Sequence, residues 1–451
     1  MKRTGLAALL VAGLVVTGVL VWDGARQDRE FRRLVALGDA ALAQGQTFEA
    51  AEAFSGAVAL RPDSMLAHLK RGDTYRRRGD LAAALRDLRR ASQLDPGAVR
   101  PHEGLGDVNL AMGRYARAIE DYRDYLAIDE RAPRVLYKLG LALYRDRRPR
   151  EAVTPLRAAL ALDERLAEAQ YTLGLCLGPG RPAEAVRALT RAVELQPSSV
   201  PARAALVDSL TSLGRWREAA AHLEAMASLE PDSPTHAVRV AMAYTRLDRV
   251  DTAIGLLNRA VTRFPGEPGV RAALGRLWLD RAPDAAALDH ALSVLRPGAT
   301  APVPTGELLG LYGRALARAG RHAEAEQVLE QAAGRLPVET ETLTALASTS
   351  ERLGHLQSAR QALLDAVDLG THDADPGILL RISALSLALR DVPSAITWAR
   401  RAVDEADARH DGLWDAAQTA LARALERAGQ TAEAQAARQE VRRGSSSGRT
   451  P

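Results

Sequence analysis

The stretch Met65–Ala98, MLAHLKRGDTYRRRGDLAAALRDLRRASQLDPGA, returns along the chain at intervals of about 34 residues. Counted from its first residue, the eighth place holds a glycine, the twentieth an alanine and the thirty-second a proline. The residues at these places include Gly38, Gly72, Gly106 and Gly140; Ala50, Ala84 and Ala118; and Pro62 and Pro96. This periodicity predicts a chain built from copies of one structural unit.

Each copy has the pattern of two amphipathic helices joined by a short polar turn, such as Arg78-Gly79-Asp80. Glycine and alanine at the eighth and twentieth places have almost no side chain, so two helices can approach closely there. Proline ends the second helix because it cannot donate a backbone hydrogen bond, and Ser64 or Ser233 close to it can cap the next helix. One pair cannot bury its apolar faces alone, so the pairs are expected to stack.

These residues make the unit similar to the tetratricopeptide repeat. The resemblance implies an all-α fold, a right-handed α-solenoid of stacked helix-turn-helix repeats. About eight repeats are expected over residues 31–296 and about four, the last degenerate, over residues 306–443. Residues 297–305, which are rich in proline, are predicted to form either a linker or hinge, or one longer loop with the stacking intact. Residues 444–451 are expected to be a disordered tail.

The N-terminal residues have the composition of a membrane anchor. After a basic segment at residues 1–4, residues 5–22 carry no charge and could cross a bilayer as one transmembrane helix, with a linker at 23–30. A cleaved signal peptide is the competing interpretation, and the length of the apolar run favours an uncleaved signal anchor. The sequence thus predicts a single-pass membrane protein with extracytoplasmic (periplasmic) repeats. Basic residues such as Arg26 and Arg29 support the alternative, repeats that face the cytoplasm.

The remaining composition argues against several functional classes. The 60 basic and 56 acidic residues leave a formal net charge of +4, which is too small to indicate nucleic-acid binding. The single Cys176 and the scattered histidines form no metal-binding motif, and no motif of a metalloprotease, P-loop enzyme or serine hydrolase is present. We therefore expect a non-enzymatic protein with no cofactor, no metal and no small-molecule substrate.

A groove is the surface that the resemblance suggests for binding. In the family, places two, five, nine, twelve and thirteen of the first helix line a concave surface. The ninth place is aspartate in three successive repeats, at Asp39, Asp73 and Asp107, where the family's peptide-carboxylate clamp uses asparagine. An aspartate row would favour a basic partner. The other interpretation is a set of solvated carboxylates, partly neutralised by Arg76 and Arg77.

Aromatic residues give a second candidate surface. Tyr137 and Tyr171 hold the fifth place of neighbouring repeats, and Tyr144 lies seven residues after Tyr137 on the same helix face. Tyrosines are common anchors at protein interfaces because they bury a large area with little loss of rotamer entropy. Ordinary packing inside the groove is the alternative interpretation.

Taken together, the sequence predicts a scaffold that binds a protein or peptide partner in its groove, within a membrane- or envelope-associated assembly. One alternative is a membrane-anchored regulatory adaptor that faces the cytoplasm. Such a protein would resemble the lipopolysaccharide-assembly adaptors, but their four-cysteine metal module cannot form with one cysteine. A nucleic-acid-binding regulator is the second alternative, disfavoured by the near-balanced charge.

Overall fold

Helices account for the regular structure of this protein. The computed structural model describes residues 2–281, 285–370, 374–409 and 412–446. Over these ranges the chain forms 24 α-helices and one short 3₁₀ helix, and no strand. The predicted all-α fold of stacked helix pairs is therefore confirmed. The chain divides into two compact units: unit 1 ends at Leu229 and unit 2 begins at Glu230.

Unit 1 consists of successive antiparallel helix pairs. Its helices are α1 Lys2–Ala43, α2 Thr47–Leu60, α3 Met65–Arg78, α4 Leu81–Leu94, α5 Val99–Ala111, α6 Tyr115–Ile128, α7 Pro133–Arg145, α8 Pro149–Leu162, α9 Ala167–Leu177, α10 Pro182–Leu195, α11 Val200–Ser212 and α12 Trp216–Leu229, with the 3₁₀ helix Gly178–Gly180 before α10. First helices of neighbouring pairs also contact each other, as α3 contacts α5 and α7 contacts α9. These first helices form the layer that we call the inner face of unit 1.

Glycine at the eighth place sets the distance between the two helices of a pair. A Cβ atom on Gly106 would lie 2.4 Å from the ring of Tyr122, a side chain that is fully buried. Ala118, at the twentieth place, is also fully buried. Because neither residue has a bulky side chain, α5 and α6 can pack with the tyrosine ring wedged between them, as the spacing predicts.

The predicted turns and caps of unit 1 form as local chemistry requires. The Ser64 hydroxyl accepts a hydrogen bond from the N–H of Ala67 at 3.3 Å and caps α3. Gly79 ends the same helix in the left-handed conformation, with φ 84°, which favours a residue without Cβ. In unit 2, Ser233 occupies the capping place before the next first helix without a side-chain cap.

Unit 2 repeats the same arrangement. Its helices are α13 Pro234–Arg246, α14 Val250–Arg263, α15 Pro268–Asp280, α16 Ala285–Ala299, α17 Gly306–Arg318, α18 His322–Ala333, α19 Thr340–Leu353, α20 Leu356–Leu369, α21 Pro376–Ala388, α22 Val392–Arg409, α23 Trp414–Arg427 and α24 Thr431–Ser446. Its first helices likewise contact one another, as α15 contacts α17 and α17 contacts α19. They form the inner face of unit 2.

The proline-rich stretch 297–305 lies inside unit 2. Helix α16 continues through Pro297 to Ala299, and the Thr305 hydroxyl caps α17 by accepting a hydrogen bond from the N–H of Leu308 at 3.3 Å. Leu295 and Leu308, on either side of the stretch, belong to one buried apolar cluster. Packing is therefore continuous across these residues.

The membrane prediction needs correction. Among the residues that the structure describes, no helix is both long enough and apolar enough to cross a membrane. The structure therefore does not support a single-pass membrane protein, in either orientation. Most side chains of the predicted anchor, residues 5–22, lie outside the described residues. Helix α1 continues beyond them into the charged segment 23–30, predicted as a linker, and packs on α2 as the first helix of its pair.

Candidate functional site

The predicted site residues all lie on first helices of unit 1, at the inner face. They are Asp39 on α1; Asp73, Arg76 and Arg77 on α3; Asp107 on α5; Tyr137 and Tyr144 on α7; and Tyr171 on α9. They share one layer because the repeat places the same face of each first helix against its neighbour. A further ninth-place aspartate, Asp208 on α11, is exposed.

Lysines from the following repeat neutralise two of the predicted aspartates. The Nζ atom of Lys70 lies 2.6 Å from Oδ1 of Asp39, and Nζ of Lys138 lies 2.7 Å from Oδ1 of Asp107. Each lysine stands at the sixth place of the next first helix. The aspartates therefore connect neighbouring repeats through ion pairs, and the inner face of unit 1 does not present them as an uncompensated acidic row.

Asp107 has the most extensive set of partners. Besides Lys138, it accepts a hydrogen bond from the Tyr122 hydroxyl at 2.9 Å, and Arg76 lies 3.7 Å away. Lys138 also donates to Glu103 at 2.8 Å. Burial on its own would lower the pKa of Lys138, but hydrogen bonds to Asp107 and Glu103 outweigh it and raise that pKa. The result is a charge network that ties α5, α6 and α7 together.

Asp73 lies between two arginines at longer distances. Its carboxylate oxygens are 3.6 Å from Arg76 and 3.7 Å from Arg100. Burial raises the pKa of Asp73 above its usual range, although Arg76, Arg100 and Arg77 act in the opposite direction. Arg77 itself is exposed. The site thus holds one carboxyl group whose charged form is less favourable than in water.

The three predicted tyrosines form a half-buried aromatic surface on α7 and α9. Burial is the main cause that raises the pKa of Tyr171, and the nearby Tyr144 raises it further. Burial, followed by the charge of Glu168, raises the pKa of Tyr137, and Arg145 and Thr172 act in the opposite direction. The phenol groups of Tyr137 and Tyr171 are therefore neutral at physiological pH, and each of the three rings retains exposed area that a ligand could cover.

Sequence reasoning did not identify Lys70, Lys138 and Arg100 as members of this site. A usable signal was present for the lysines. The chain contains only three, and two of them stand at the sixth place of a repeat in an otherwise arginine-rich protein. Their partners lie about one repeat earlier, so only the stacking of helices brings the charges together.

Other reactive groups offer no separate centre in the part of the chain that the structure describes. Burial raises the pKa of the Cys176 thiol to about 12, so it stays protonated and weakly nucleophilic. Across the described ranges, no three His, Cys, Asp or Glu side chains come together as a possible metal site.

The chain is an α-helical repeat protein. Its helix pairs carry glycine at the eighth place and stack through their first helices. Two models of the tetratricopeptide repeat match this chain, one at residues 35–99, 69–133 and 137–200 and the other at 177–242 and 210–277. The chain belongs to the tetratricopeptide-repeat family. Proteins of this family are generally non-enzymatic scaffolds.

Several solved structures are similar to parts of this chain, and no curated protein matches it. YrrB, described as a tetratricopeptide-repeat protein with an unusual peptide-binding site, is 23% identical, with a TM-score of 0.38 over 41% of this chain and 96% of its own. PilF of Pseudomonas aeruginosa is 24% identical, with a TM-score of 0.38 over 46% of this chain and 95% of its own. The APC/C hetero-tetramer Cut9–Hcn1 is 15% identical, with a TM-score of 0.34 over 91% of this chain and 86% of its own.

Proposed function

We propose that this protein is a non-enzymatic scaffold whose inner face in unit 1 binds a protein or peptide partner. The observation that carries the proposal is the half-buried surface formed by Tyr137, Tyr144 and Tyr171 on two neighbouring first helices. Tyrosine supplies a large apolar area and a polar hydroxyl in one rigid side chain, which suits an interface anchor. Membership of a family of scaffolds supports the same function.

The charges around the tyrosines support a specific division of roles. Asp39 and Asp107 are engaged by lysines of the next repeat, so they keep the first helices in register. The aromatic rings are then the groups with exposed area still to bury. We propose that the tyrosines provide the binding energy and that the ion pairs hold the surface in shape.

A peptide-display selection on the full chain tests this proposal. Enriched peptides would be titrated by fluorescence anisotropy against the wild type and the double variant Tyr137→Ala/Tyr171→Ala. Loss of one interface anchor should weaken binding by about thirtyfold, since a hot-spot residue contributes about 2 kcal/mol, and loss of both should weaken it by up to about a thousandfold. Tyr137→Phe/Tyr171→Phe, which keeps both rings, should retain most of the affinity.

Tyr115→Ala is the matched control, because Tyr115 is also half-buried but begins α6, a second helix outside the inner face. Its affinity for the selected peptides should equal that of the wild type. Equal binding by the wild type and a folded Tyr137→Ala/Tyr171→Ala variant would rule out the tyrosine surface, as would a selection that enriches no peptide.

A further inference from the structure

Unit 2 contains a cavity whose lining is rich in arginine. The cavity has a volume of about 560 Å³ and lies against the first helices α17, α19 and α21. Its arginines are Arg314, Arg318, Arg352 and Arg381, and Glu341 is the acidic side chain of the lining. Arg314 and Arg318 hold the ninth and thirteenth places of α17, and Arg352 holds the thirteenth place of α19. The arginines therefore converge on the inner face of unit 2.

Two of these arginines have no partner in the described part of the chain. Arg314 and Arg352 make no hydrogen bond or ion pair there. Arg318 donates one bond, to the carbonyl oxygen of Leu279 at 2.5 Å, and Arg381 is paired with Glu351 at 2.9 Å. Since a guanidinium carries five N–H donors, the cavity holds many unused donors and an excess of positive charge.

Arg314 lacks the kind of partner that two ninth-place residues of unit 1 have. Asp39 and Asp107 each pair with a lysine at the sixth place of the next repeat. The sixth place after Arg314 is Ala345, which lines the cavity and offers neither charge nor bulk. By contrast Arg276, the ninth-place residue one repeat earlier, lies 3.0 Å from both Glu307 and Glu339.

The hydroxyl groups of the lining do not change this preference. Ser348 and Thr349 donate to backbone carbonyl oxygens of their own helix, at 2.8 Å each, so they can only accept a bond from a ligand. The donors that face the cavity are therefore the guanidinium groups, together with the imidazole of His322. Planar guanidinium groups bind carboxylates through two parallel hydrogen bonds, which makes an anionic ligand the best match.

We propose that this cavity binds an acidic peptide segment of a partner protein, with its carboxylates on Arg314 and Arg352. The proposal extends the scaffold function to a second site, on unit 2, with a ligand of stated charge. A peptide suits the place better than a single small anion, because the lining extends over three first helices and includes the apolar Ala317 and Ala345.

Fluorescein-labelled hexaglutamate and hexaglutamine, titrated against the full chain by fluorescence anisotropy, test the proposal. Hexaglutamate should bind and hexaglutamine should not. The affinity for hexaglutamate should fall as salt is added, because ions screen charges that are separated by more than the Debye length, about 8 Å at physiological salt. The double variant Arg314→Gln/Arg352→Gln should weaken hexaglutamate binding by about tenfold or more, because it removes the two unpaired guanidinium groups.

Arg427→Gln is the matched control. Arg427 is an exposed arginine in the last turn of a first helix, α23, as Arg352 is in α19, but it lies outside the cavity. This variant should bind hexaglutamate as the wild type does. Ala345→Glu gives a second test without removing an arginine: the new carboxylate, at the sixth place, should pair with Arg314 and abolish binding.

Hexaglutamate binding of wild-type strength by both the double variant and Ala345→Glu would overturn the proposal, and so would its failure to bind the wild type. The test is independent of the tyrosine surface. Selected peptides that lose affinity for Tyr137→Ala/Tyr171→Ala should still bind the arginine variants, so either proposal can fail while the other stands.

Discussion

The ninth place of the first helix carries opposite charges in the two units. In unit 1 it is aspartate at Asp39, Asp73 and Asp107, and each carboxylate lies within 4 Å of a cation from the next repeat. In unit 2 it is arginine at Arg276 and Arg314, and among the described residues only Arg276 of these two has acidic partners. The same position therefore carries ion pairs between neighbouring repeats in unit 1, whereas at Arg314 in unit 2 it carries a charge without an acidic partner among the described residues.

The difference teaches that a repeat position does not determine a role by itself. The partner that the next repeat offers matters as well, because a charged side chain of the next first helix can reach the residue at this place. Lys138 pairs with Asp107, whereas Arg314 has Ala345 at the corresponding place and lines a cavity. Binding sites are thus expected where a charged residue of the inner face has no ion-pair partner in the neighbouring repeat.

The largest effect is expected from the glycine contact that both units share. Gly106→Ala would place a Cβ 2.4 Å from the Tyr122 ring, and Gly275→Ala would place one 2.3 Å from Leu295. Each should lower the free energy of unfolding by about 2 kcal/mol, since overpacking outweighs the better helix propensity of alanine. Urea denaturation followed by circular dichroism measures the change.

Gly266→Ala is the control for this experiment, because its Cβ would have nothing within 4 Å. It should leave the urea midpoint almost unchanged. A large loss at Gly106 with none at Gly275 would show that the two units do not depend on the same helix spacing.

A smaller effect on stability is expected when the lysines that pair with Asp107 and Asp39 in unit 1 are replaced. Lys138→Met leaves Asp107 and Glu103 close together without their shared cation, and should cost about 1–2 kcal/mol. Lys70→Met should cost less than about 0.5 kcal/mol, because Asp39 remains half-exposed to water. Urea denaturation of Lys138→Met, Asp107→Asn and Asp107→Asn/Lys138→Met would give the coupling energy, and Lys70→Met is measured beside them. An equal loss of stability in Lys138→Met and Lys70→Met would contradict the expectation that a buried ion pair contributes more than an exposed one.

The smallest effect concerns pH, and its sign should differ between the units. Burial raises the pKa of Asp73 above 3.8, so the stability that this group contributes is present below that value and is lost as pH rises through its folded pKa. Relative to the wild type, Asp73→Asn should therefore become more stable as pH rises from about 4 to 7.

Glu326 in unit 2 is expected to show the opposite trend. Burial acts to raise its pKa, but hydrogen bonds from Ser350 and His355 outweigh it and hold the pKa below 4.5. Its contribution is present above that value and is lost as pH falls through the folded pKa, so Glu326→Gln should lose stability relative to the wild type as pH rises. Urea midpoints decide the signs, measured from about pH 4 to 7 for Asp73→Asn and from about pH 3 to 5 for Glu326→Gln. Trends of the same sign in the two variants would contradict the expected difference between the units.

Much of the fold could be predicted from local pattern. The repeating glycine, alanine and proline of Met65–Ala98 predicted the helix pairs and their turns, because these residues act on their own backbone and nearest neighbours. The membrane prediction is wrong, since no helix among the described residues is both long enough and apolar enough to cross a membrane.

The candidate site was predictable only as a set of positions on one face. The sequence by itself determined the repeat, the helical faces and the residues that lie on the inner face, since these follow from the helical period. The tertiary structure alone decided that Lys138 neutralises Asp107 and that Arg314 has no partner in the described part of the chain. These partners lie about one repeat apart in the chain. The physical reason is that charges interact through space, and only stacking sets the distance between them.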